Sequence, residues 1–286
     1  MTAHRDEHII EAIGRCRVLV RDGKVIEVGK PIIADCPLAK RFAFPVPEIT
    51  TEAVKANIEH RIRAFGMCTP AREVLDTRPF VGFGASELIS FGIKAGLLDA
   101  AVVACDGAGT VVATTPEMVQ GIGGRMSGLV STSPHRSVIE RIEQNGGYVL
   151  DPGNARIDQQ SGVALAYLKG FRRIAVTVAA PAEAEAIRAA YPHSFIVAVH
   201  VSGLSRVESA RLVGASDLVT ACASRHIREI AGPLALVQAG ISIPVFAMTG
   251  KGKQLIIEKI RMSEEPVLIK PTKLPVVGDR EPSPLV

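Results

Sequence analysis

Three apolar runs of similar length recur between residues 173 and 222. They read Arg173-Ile-Ala-Val-Thr-Val178, Phe195-Ile-Val-Ala-Val-His200 and Asp217-Leu-Val-Thr-Ala-Cys222. About ten residues of helical pattern separate each run from the next, which is typical of buried strands joined by crossover helices. Because a right-handed crossover returns the chain in the same direction, such strands lie parallel. The stretch therefore predicts a parallel α/β sheet.

The same pattern extends in both directions along the chain. Further strands are predicted at residues 99–105, 110–114, 129–133, 244–249 and 267–270. The helices predicted between them cover residues 85–95, 134–144, 158–169, 181–190, 205–213, 224–238 and 251–262, and a short helical turn is predicted at 117–122. We predict the α/β class, with a mainly parallel, Rossmann-like sheet and helices on both faces. A partial or irregular α/β barrel is the alternative.

The first third of the chain has a different pattern. Residues 15–33 predict two short strands, and Asp22-Gly23 between them is a strong two-residue hairpin signal. A proline-rich connection follows at 36–47, and helical spacing of apolar residues then predicts a helix over 52–65, with Thr50 or Thr51 as its N-terminal cap and Gly66 at its end. We therefore divide the chain into an N-terminal α+β region (1–78), an α/β domain (79–275) and an extended tail (276–286).

Composition excludes several classes of protein. Of 286 residues, 47% are hydrophobic but only 4% are aromatic, and the chain has no Trp. Few rings are therefore available to stack on a nucleobase or flavin. The net charge of +4 is small for this length, so neither composition nor charge predicts nucleic-acid binding. Five widely spaced cysteines, with no signal-peptide stretch and no membrane-spanning run, predict a protein of the reducing cytoplasm.

Reactive side chains follow several of the predicted strands. In parallel sheets, ligands bind at the carboxyl ends of the strands, so the residues there are the first candidates for chemistry. Cys105 ends one strand and Asp106 follows it, and His200 and Cys222 end two others. We predict these four as catalytic residues, since thiols act as nucleophiles and histidine or carboxylate groups move protons. The alternative is that Cys105 is a small buried residue and Asp106 belongs to a turn.

A glycine-rich segment, Gly121-Ile-Gly-Gly-Arg125, predicts an anion site because its amides and one guanidinium can surround a negative charge. Its spacing fits neither the Walker A loop nor the dinucleotide fingerprint. The run Ser131-Thr-Ser-Pro134 opens a predicted helix, whose first amides favour phosphate or carboxylate, although an ordinary helix cap is the alternative. The predicted anion-binding residues are Gly121, Gly123, Gly124, Arg125, Ser131, Thr132, Ser133, Thr249 and Lys251.

Two sets of residues are candidate metal ligands. Cys16, Cys36 and Cys68 offer three thiolates for an iron–sulfur cluster, although no Cys-x-x-Cys spacing links them. Cys222 and His226 are separated by three residues and would share a face if both lay on one helix. The sequence assigns no particular cofactor to either set.

Several longer stretches resemble a known archaeal family, methanogenesis marker protein 8, from about residue 7 to about residue 275. The stretches are Arg15-Cys-Arg-Val18, Gly66-Met-Cys-Thr-Pro70, Cys105-Asp-Gly-Ala-Gly-Thr-Val-Val112, Gln120-Gly-Ile-Gly-Gly-Arg125, Ser131-Thr-Ser-Pro134, Thr220-Ala-Cys-Ala-Ser224, His226-Ile-Arg-Glu229 and Pro244-Val-Phe-Ala-Met248. The family has no established biochemical activity, so it supplies no functional residues. The resemblance implies an anaerobic cytosol and work on methyl-coenzyme M reductase, its nickel tetrapyrrole or another coenzyme of that pathway.

Three functional hypotheses follow. The leading one is an enzyme or accessory factor in coenzyme biosynthesis or reductase maturation, which binds a small anionic ligand at the strand ends. The second is an iron–sulfur or nickel carrier that uses Cys16, Cys36 and Cys68. The third is a non-catalytic partner of methyl-coenzyme M reductase or of its maturation factors. An oligomer is compatible with all three.

Overall fold

The computed structural model describes residues 6–125 and 128–286, which contain two sheets and nine α-helices. The strands are β1 (Glu7–Glu11), β2 (Arg17–Arg21), β3 (Lys24–Val28), β4 (Ala100–Cys105), β5 (Gly109–Ala113), β6 (Gly128–Thr132), β7 (Tyr148–Val149), β8 (Ile174–Val178), β9 (Phe195–Ala198), β10 (Leu218–Thr220), β11 (Val237–Ala239) and β12 (Val245–Ala247). The helices are α1 (Thr51–Phe65), α2 (Ala85–Lys94), α3 (Pro116–Gly123), α4 (Arg136–Gln144), α5 (Gln159–Leu168), α6 (Pro181–Ala190), α7 (Arg206–Ala215), α8 (Arg225–Leu234) and α9 (Gly250–Arg261).

The predicted parallel strands form the centre of the larger sheet. Its strand order is β11-β12-β10-β9-β8-β4-β5-β7, and the neighbouring strands from β10 to β4 pair in parallel. Val176 of β8, for example, lies between Val102 of β4 and Ile196 of β9. Antiparallel strands continue the sheet on both sides, and its two outermost strands do not pair with each other in the described residues. The sheet is therefore open, and the barrel alternative is wrong.

Helices cover both faces of this sheet, as predicted. Alternate residues of a strand point to opposite faces. Val103 and Val197 point into a core with α2, α3, α4 and α9, whereas Val102 and Ile196 point into a second core with α5 to α8. All four valine and isoleucine side chains are almost fully buried. The parallel strands are mostly apolar because both faces pack against helices.

Two strand predictions near the end of the chain are wrong: the strand at 244–249 is not parallel to its neighbours, and 267–270 is not a strand. The first difference begins at α8, which ends one residue after Pro233 instead of reaching residue 238, because proline lacks a backbone donor. The chain then forms β11, turns at Gly240 and returns as β12, which runs antiparallel to both β11 and β10. Residues 267–270, predicted as a strand, belong to no strand, and Leu268 is 90% exposed.

The N-terminal region forms a second sheet of order β3-β2-β1-β6. The predicted hairpin is confirmed: Asp22 and Gly23 have φ of 49° and 68°, the left-handed pair that a tight turn requires. The sequence did not predict β1, which pairs antiparallel with β2 and with β6. In the chain, β6 lies between β5 and β7 of the larger sheet, but it pairs with β1 of the smaller one. It therefore connects the two sheets. The division of the chain at residue 78 stays a prediction.

Helix α1 confirms its predicted end signals. The Thr50 side chain accepts a hydrogen bond from Ala53 N, and Gly66 ends the helix in the left-handed conformation. The final residues are held by backbone hydrogen bonds, and the extended tail over 276–286 stays a prediction. Ser283 pairs with Asp35, and Val286 N donates to Ala223 O. In the described residues, no helix is both long and apolar enough to cross a membrane.

Candidate functional site

A cleft with a volume of about 670 Å³ opens at the carboxyl ends of the parallel strands, where the topology predicts a ligand site. We call it the strand-end cleft. The strands contribute Ala104, Thr177 and Thr220 to its lining, and the segments after β9 and β10 contribute His200 and Cys222. Residues 80–87 and 240–243 form other walls. The structure therefore brings two of the four predicted catalytic residues, His200 and Cys222, to one cleft.

His200 and Cys222 share an unusual backbone conformation. They follow the neighbouring strands β9 and β10, with φ of 54° and 45°. This left-handed conformation costs a non-glycine residue about 1–2 kcal/mol, because Cβ approaches the following carbonyl oxygen. Such strain is concentrated at functional sites, where it positions particular side chains. Two strained residues on one cleft wall therefore mark that wall as the best candidate for chemistry.

The imidazole of His200 reaches solvent through the cleft and has no hydrogen-bond partner among the described side chains. The surrounding protein desolvates its charged form and lowers its pKa, while the negative charge of Glu11 opposes this shift. The neutral imidazole is therefore favoured near pH 7, and it can accept a proton or bind a metal ion. Cys222 is half-buried, and its sulfur lies 3.6 Å from the Thr220 hydroxyl oxygen.

A hydrogen-bonded floor underlies the cleft. Gln159 at the start of α5 donates from Nε2 to the Thr177 carbonyl oxygen at 2.8 Å and accepts from the Thr110 hydroxyl at 2.8 Å. Its backbone N–H donates to the Glu183 carboxylate at 2.9 Å, and burial raises the pKa of Glu183. This network fixes the amide and the carboxyl group, so the floor presents groups of defined orientation.

The cleft also contains positive electrostatic features. Arg41 lines it, is exposed, and forms no ion pair with any described carboxylate. The N-terminus of α6 faces the same space, and Ala180 provides no side-chain cap for its free amides. The N-terminus of α2 also lines the cleft without a side-chain cap, and each of the two helices has a glutamate in its first turn, Glu87 in α2 and Glu183 in α6. Both carboxylates accept hydrogen bonds from backbone amides of the protein, Glu87 from Phe80 and Val81 and Glu183 from Gln159. Arg41 and the first amides of α6 remain as partners for an anion.

Cys105 and Asp106 lie away from the cleft lining. Both are fully buried, and burial raises the pKa of Cys105 to about 12, the opposite of the shift that activates a nucleophile. Asp106 accepts a hydrogen bond from Arg72 Nε at 2.8 Å and another from Cys68 N at 2.6 Å. The Asp106 carboxylate is therefore committed to a fully buried ion pair.

The predicted glycine-rich loop is a helix. Gly121 and Gly123 belong to α3, and Gly124 is its C-terminal cap. At this end of a helix the carbonyl oxygens point outward, and the Arg72 guanidinium donates to the Gly121 carbonyl oxygen at 3.1 Å. Arg125 pairs with Asp76 at 2.6 Å and with Glu73 at 3.0 Å. This segment therefore presents acceptors and a neutralised cation, although Gly123 and Gly124 do line the cleft.

The serine and threonine run also has a different role. Ser131 is exposed on β6, and Ser133 donates to the Glu7 carbonyl oxygen. The buried Thr132 hydroxyl oxygen accepts from Gly107 N at 2.8 Å and lies 2.6 Å from His8 Nδ1. We refer to Arg72, Asp106, Thr132 and His8 as the buried polar cluster.

Thr249 and Lys251 lie at the opposite edge of the larger sheet, because β12 runs antiparallel to β10. Thr249 caps α9 and donates to Asp217 Oδ1 at 2.7 Å. Lys251 donates to the His193 carbonyl oxygen at 3.2 Å. The prediction that these two residues share an edge with His200 is wrong.

The candidate metal ligands of the sequence are also dispersed. Cys16, Cys36 and Cys68 belong to or border the core of the smaller sheet, and burial raises the pKa of all three thiols, to about 11 for Cys16. His226 lies beside Glu229 on α8, with Nδ1 at 3.6 Å from a carboxylate oxygen. None of these residues belongs to a group of three ligand-type side chains within 4.8 Å in the described part of the chain.

One such group exists there, and sequence analysis missed it. Asp6, His8 and His135 place one ligand atom each within 4.8 Å of the others. Asp6 and His8 are two residues apart, a spacing that puts side chains on one face of a strand. That spacing is the signal available in the sequence. His135 follows 127 residues later, and only the pairing of β1 with β6 brings it close.

Comparison with known proteins assigns the chain to a class. Residues 8–261 match the family described as an uncharacterized protein conserved in archaea (DUF2099), and the chain belongs to that family. An uncharacterized protein of Methanocaldococcus jannaschii is 39% identical to it over 284 residues, covering 98% of this chain and all of the relative. The chain is therefore a member of an archaeal protein family.

Proposed function

We propose that this protein binds a small anionic ligand in the strand-end cleft and acts there as an enzyme or accessory factor. The observation that carries the proposal is the pair His200 and Cys222. Both are strained, both line a cleft of about 670 Å³, and they follow adjacent parallel strands. Strain retained at two neighbouring positions is best explained by a requirement for these side chains at this wall.

The proposed ligand is anionic because of the two positive features at the cleft. Arg41 offers donors that can pair with a carboxylate or phosphate. The free amides at the start of α6 favour a negative group. Gln159 and Glu183 would then orient the remainder of the ligand by hydrogen bonds. In this arrangement His200 accepts a proton, and Cys222 acts as nucleophile or ligand.

The proposed process is coenzyme biosynthesis or maturation of methyl-coenzyme M reductase in an archaeal cytoplasm. Its support is the resemblance to methanogenesis marker protein 8, together with the archaeal family and relative. The reductase or its maturation factors are the proposed protein partners. Co-purification of such a partner with a chain that carries no small molecule would instead favour a non-catalytic role.

The test is anaerobic purification of the full chain from a methane-forming archaeal host, followed by native mass spectrometry. We expect a bound small molecule in the wild type and its loss in His200→Ala and Cys222→Ala. Cys105→Ala and Lys251→Ala are matched controls, because neither side chain lines the cleft. A host with the cleft substitutions should also grow poorly on methane-forming substrates. A wild type without a bound molecule, or cleft variants that retain it, would contradict the proposal.

A further inference from the structure

Three ligand-type atoms converge where β1 of the smaller sheet meets the segment after β6. His8 Nε2 lies 2.9 Å from Asp6 Oδ1 and 3.1 Å from His135 Nε2, and His135 Nε2 lies 3.2 Å from Asp6 Oδ1. These three atoms thus form a nearly equilateral triangle. The two imidazole rings have centroids 5.1 Å apart and an interplanar angle of 25°, and each contributes its Nε2 to the triangle.

We propose that Asp6, His8 and His135 bind a divalent transition-metal ion. Bonds of about 2.0–2.2 Å to neighbouring ligands place the ligand atoms about 2.9–3.5 Å apart in octahedral or tetrahedral geometry. The three observed distances, 2.9, 3.1 and 3.2 Å, fall in that range. Two imidazoles and one carboxylate suit Zn²⁺, Fe²⁺ or another divalent first-row transition metal better than Mg²⁺ or Ca²⁺, which prefer oxygen ligands.

The surroundings of His8 orient its ring for this role. The Thr132 hydroxyl oxygen accepts from Gly107 N, and its own proton has an acceptor in the Ser133 carbonyl oxygen at 3.4 Å. Thr132 can therefore accept from His8 Nδ1–H at 2.6 Å. That tautomer leaves a lone pair on Nε2, directed at Asp6 and His135. A hydrogen bond from the second ring nitrogen to a fixed partner is the usual support of a metal-binding histidine.

The His8 side chain is fully buried, and its Nε2 lies 2.9 Å from Asp6 Oδ1. A neutral Nε2 beside a carboxylate oxygen needs a positive charge or a shared proton between the two atoms. A metal ion supplies the charge, and a proton on His135 Nε2 is the competing explanation.

Asp6 is the most exposed member of the triangle. The side chains of His8 and His135 are 0% and 8% exposed, whereas that of Asp6 is 25% exposed. Three protein ligands leave a fourth coordination position for water or another small molecule, as in catalytic rather than structural zinc sites. The strand-end cleft lies near this triangle. Leu129 of β6 lines the cleft, and Thr132, which contacts His8, is three residues further along the same strand, a distance of about 10 Å.

The test uses the full chain after removal of metals with a chelator. Zn²⁺ binding is measured by calorimetry, and Co²⁺ binding by visible absorption, which reports the coordination geometry. We expect one ion per chain for the wild type. Asp6→Asn and His135→Gln should weaken binding of both ions at least about a hundredfold, and Thr132→Val about ten- to a hundredfold.

His226→Gln is the matched control, since His226 lies outside the triangle and should leave affinity unchanged. Asp6→Asn replaces one oxygen of a partly exposed side chain, so it tests the ligand role even if replacement of the buried His8 prevents folding. Circular dichroism verifies that each variant is folded. A wild type that binds Zn²⁺ no more tightly than Asp6→Asn, or a control that loses binding equally, would show that the cluster shares only a proton. The test does not depend on the ligand of the cleft, so this proposal and the proposed function can fail separately.

Discussion

The strand-end cleft and the buried polar cluster both contain reactive residue types, but these side chains are accessible in the cleft and buried in the cluster. In the cleft, His200 has no hydrogen-bond partner among the described side chains, and the backbones of His200 and Cys222 are strained. In the cluster, Arg72 and Asp106 are fully buried and paired. An open, strained wall suits a ligand that comes and goes, whereas a satisfied cluster supports the fold and fixes the geometry around it.

The largest expected difference between the two regions is in thiol reactivity. Cys222 lines the cleft, whereas Cys105 is fully buried and its pKa is raised to about 12. Cys105 should react with iodoacetamide only after local or global opening, which costs several kcal/mol, so we expect at least about a thousandfold slower labelling. Peptide mapping by mass spectrometry measures both rates in one sample. Denatured chain should label equally at both cysteines, and equal rates in the folded chain would remove the distinction.

The second effect is on stability. Arg72→Met leaves the Asp106 carboxylate buried without its cation, so the free energy of unfolding should fall by about 3–5 kcal/mol. Arg136→Met is the matched control, because Arg136 forms an exposed ion pair with Glu140 that is worth less than about 1 kcal/mol. Urea unfolding of the three proteins measures the difference. Similar losses in both variants would show that the cluster is no more important to the fold than a surface pair.

The third effect has the opposite sign. Glycine adopts the left-handed conformation without penalty, so His200→Gly and Cys222→Gly should each stabilise the fold by up to about 1 kcal/mol while abolishing ligand binding. Thr220→Gly, in β10, is the control and should destabilise the strand. Thermal unfolding and native mass spectrometry of the same samples measure both quantities. Glycine variants that are destabilised like the control would show that the strain is not stored at these positions.

Much of the fold could be predicted because its signals are local. The two-residue turn at Asp22-Gly23 and the end signals of α1 depend only on neighbouring residues, and the structure confirms both. The parallel strands β8, β9 and β10 could be predicted because they are mostly apolar, as expected of strands that helices cover on both faces. The direction of β12 was not predictable in this way, although Pro233 could have indicated the early end of α8.

The candidate site was predictable only in part, because its geometry depends on long-range pairing. His200 and Cys222 were found from their position at strand ends. The glycines of α3 suggested an anion loop, but a Cβ at Gly121 would overlap the backbone of Val74, so close packing explains that glycine. His135 could not be connected to His8 from the sequence, since β1 meets β6 across more than a hundred residues.

The smallest effect expected is the pH dependence due to His200. Its pKa in the folded protein lies below the ordinary value of 6.5, so folding favours the neutral imidazole. Between that lowered pKa and 6.5, the unfolded chain therefore binds more protons than the folded chain. The stability contributed by His200 is complete above pH 6.5 and is lost as the pH falls through this window. We compare His200→Asn, since asparagine tolerates the left-handed backbone. Its unfolding free energy should fall less between pH 7 and pH 5 than that of the wild type. The shift at His8 is present in both proteins and cancels in the difference. Identical slopes would show that the cleft does not desolvate His200, and would remove the basis for a neutral proton acceptor on its wall.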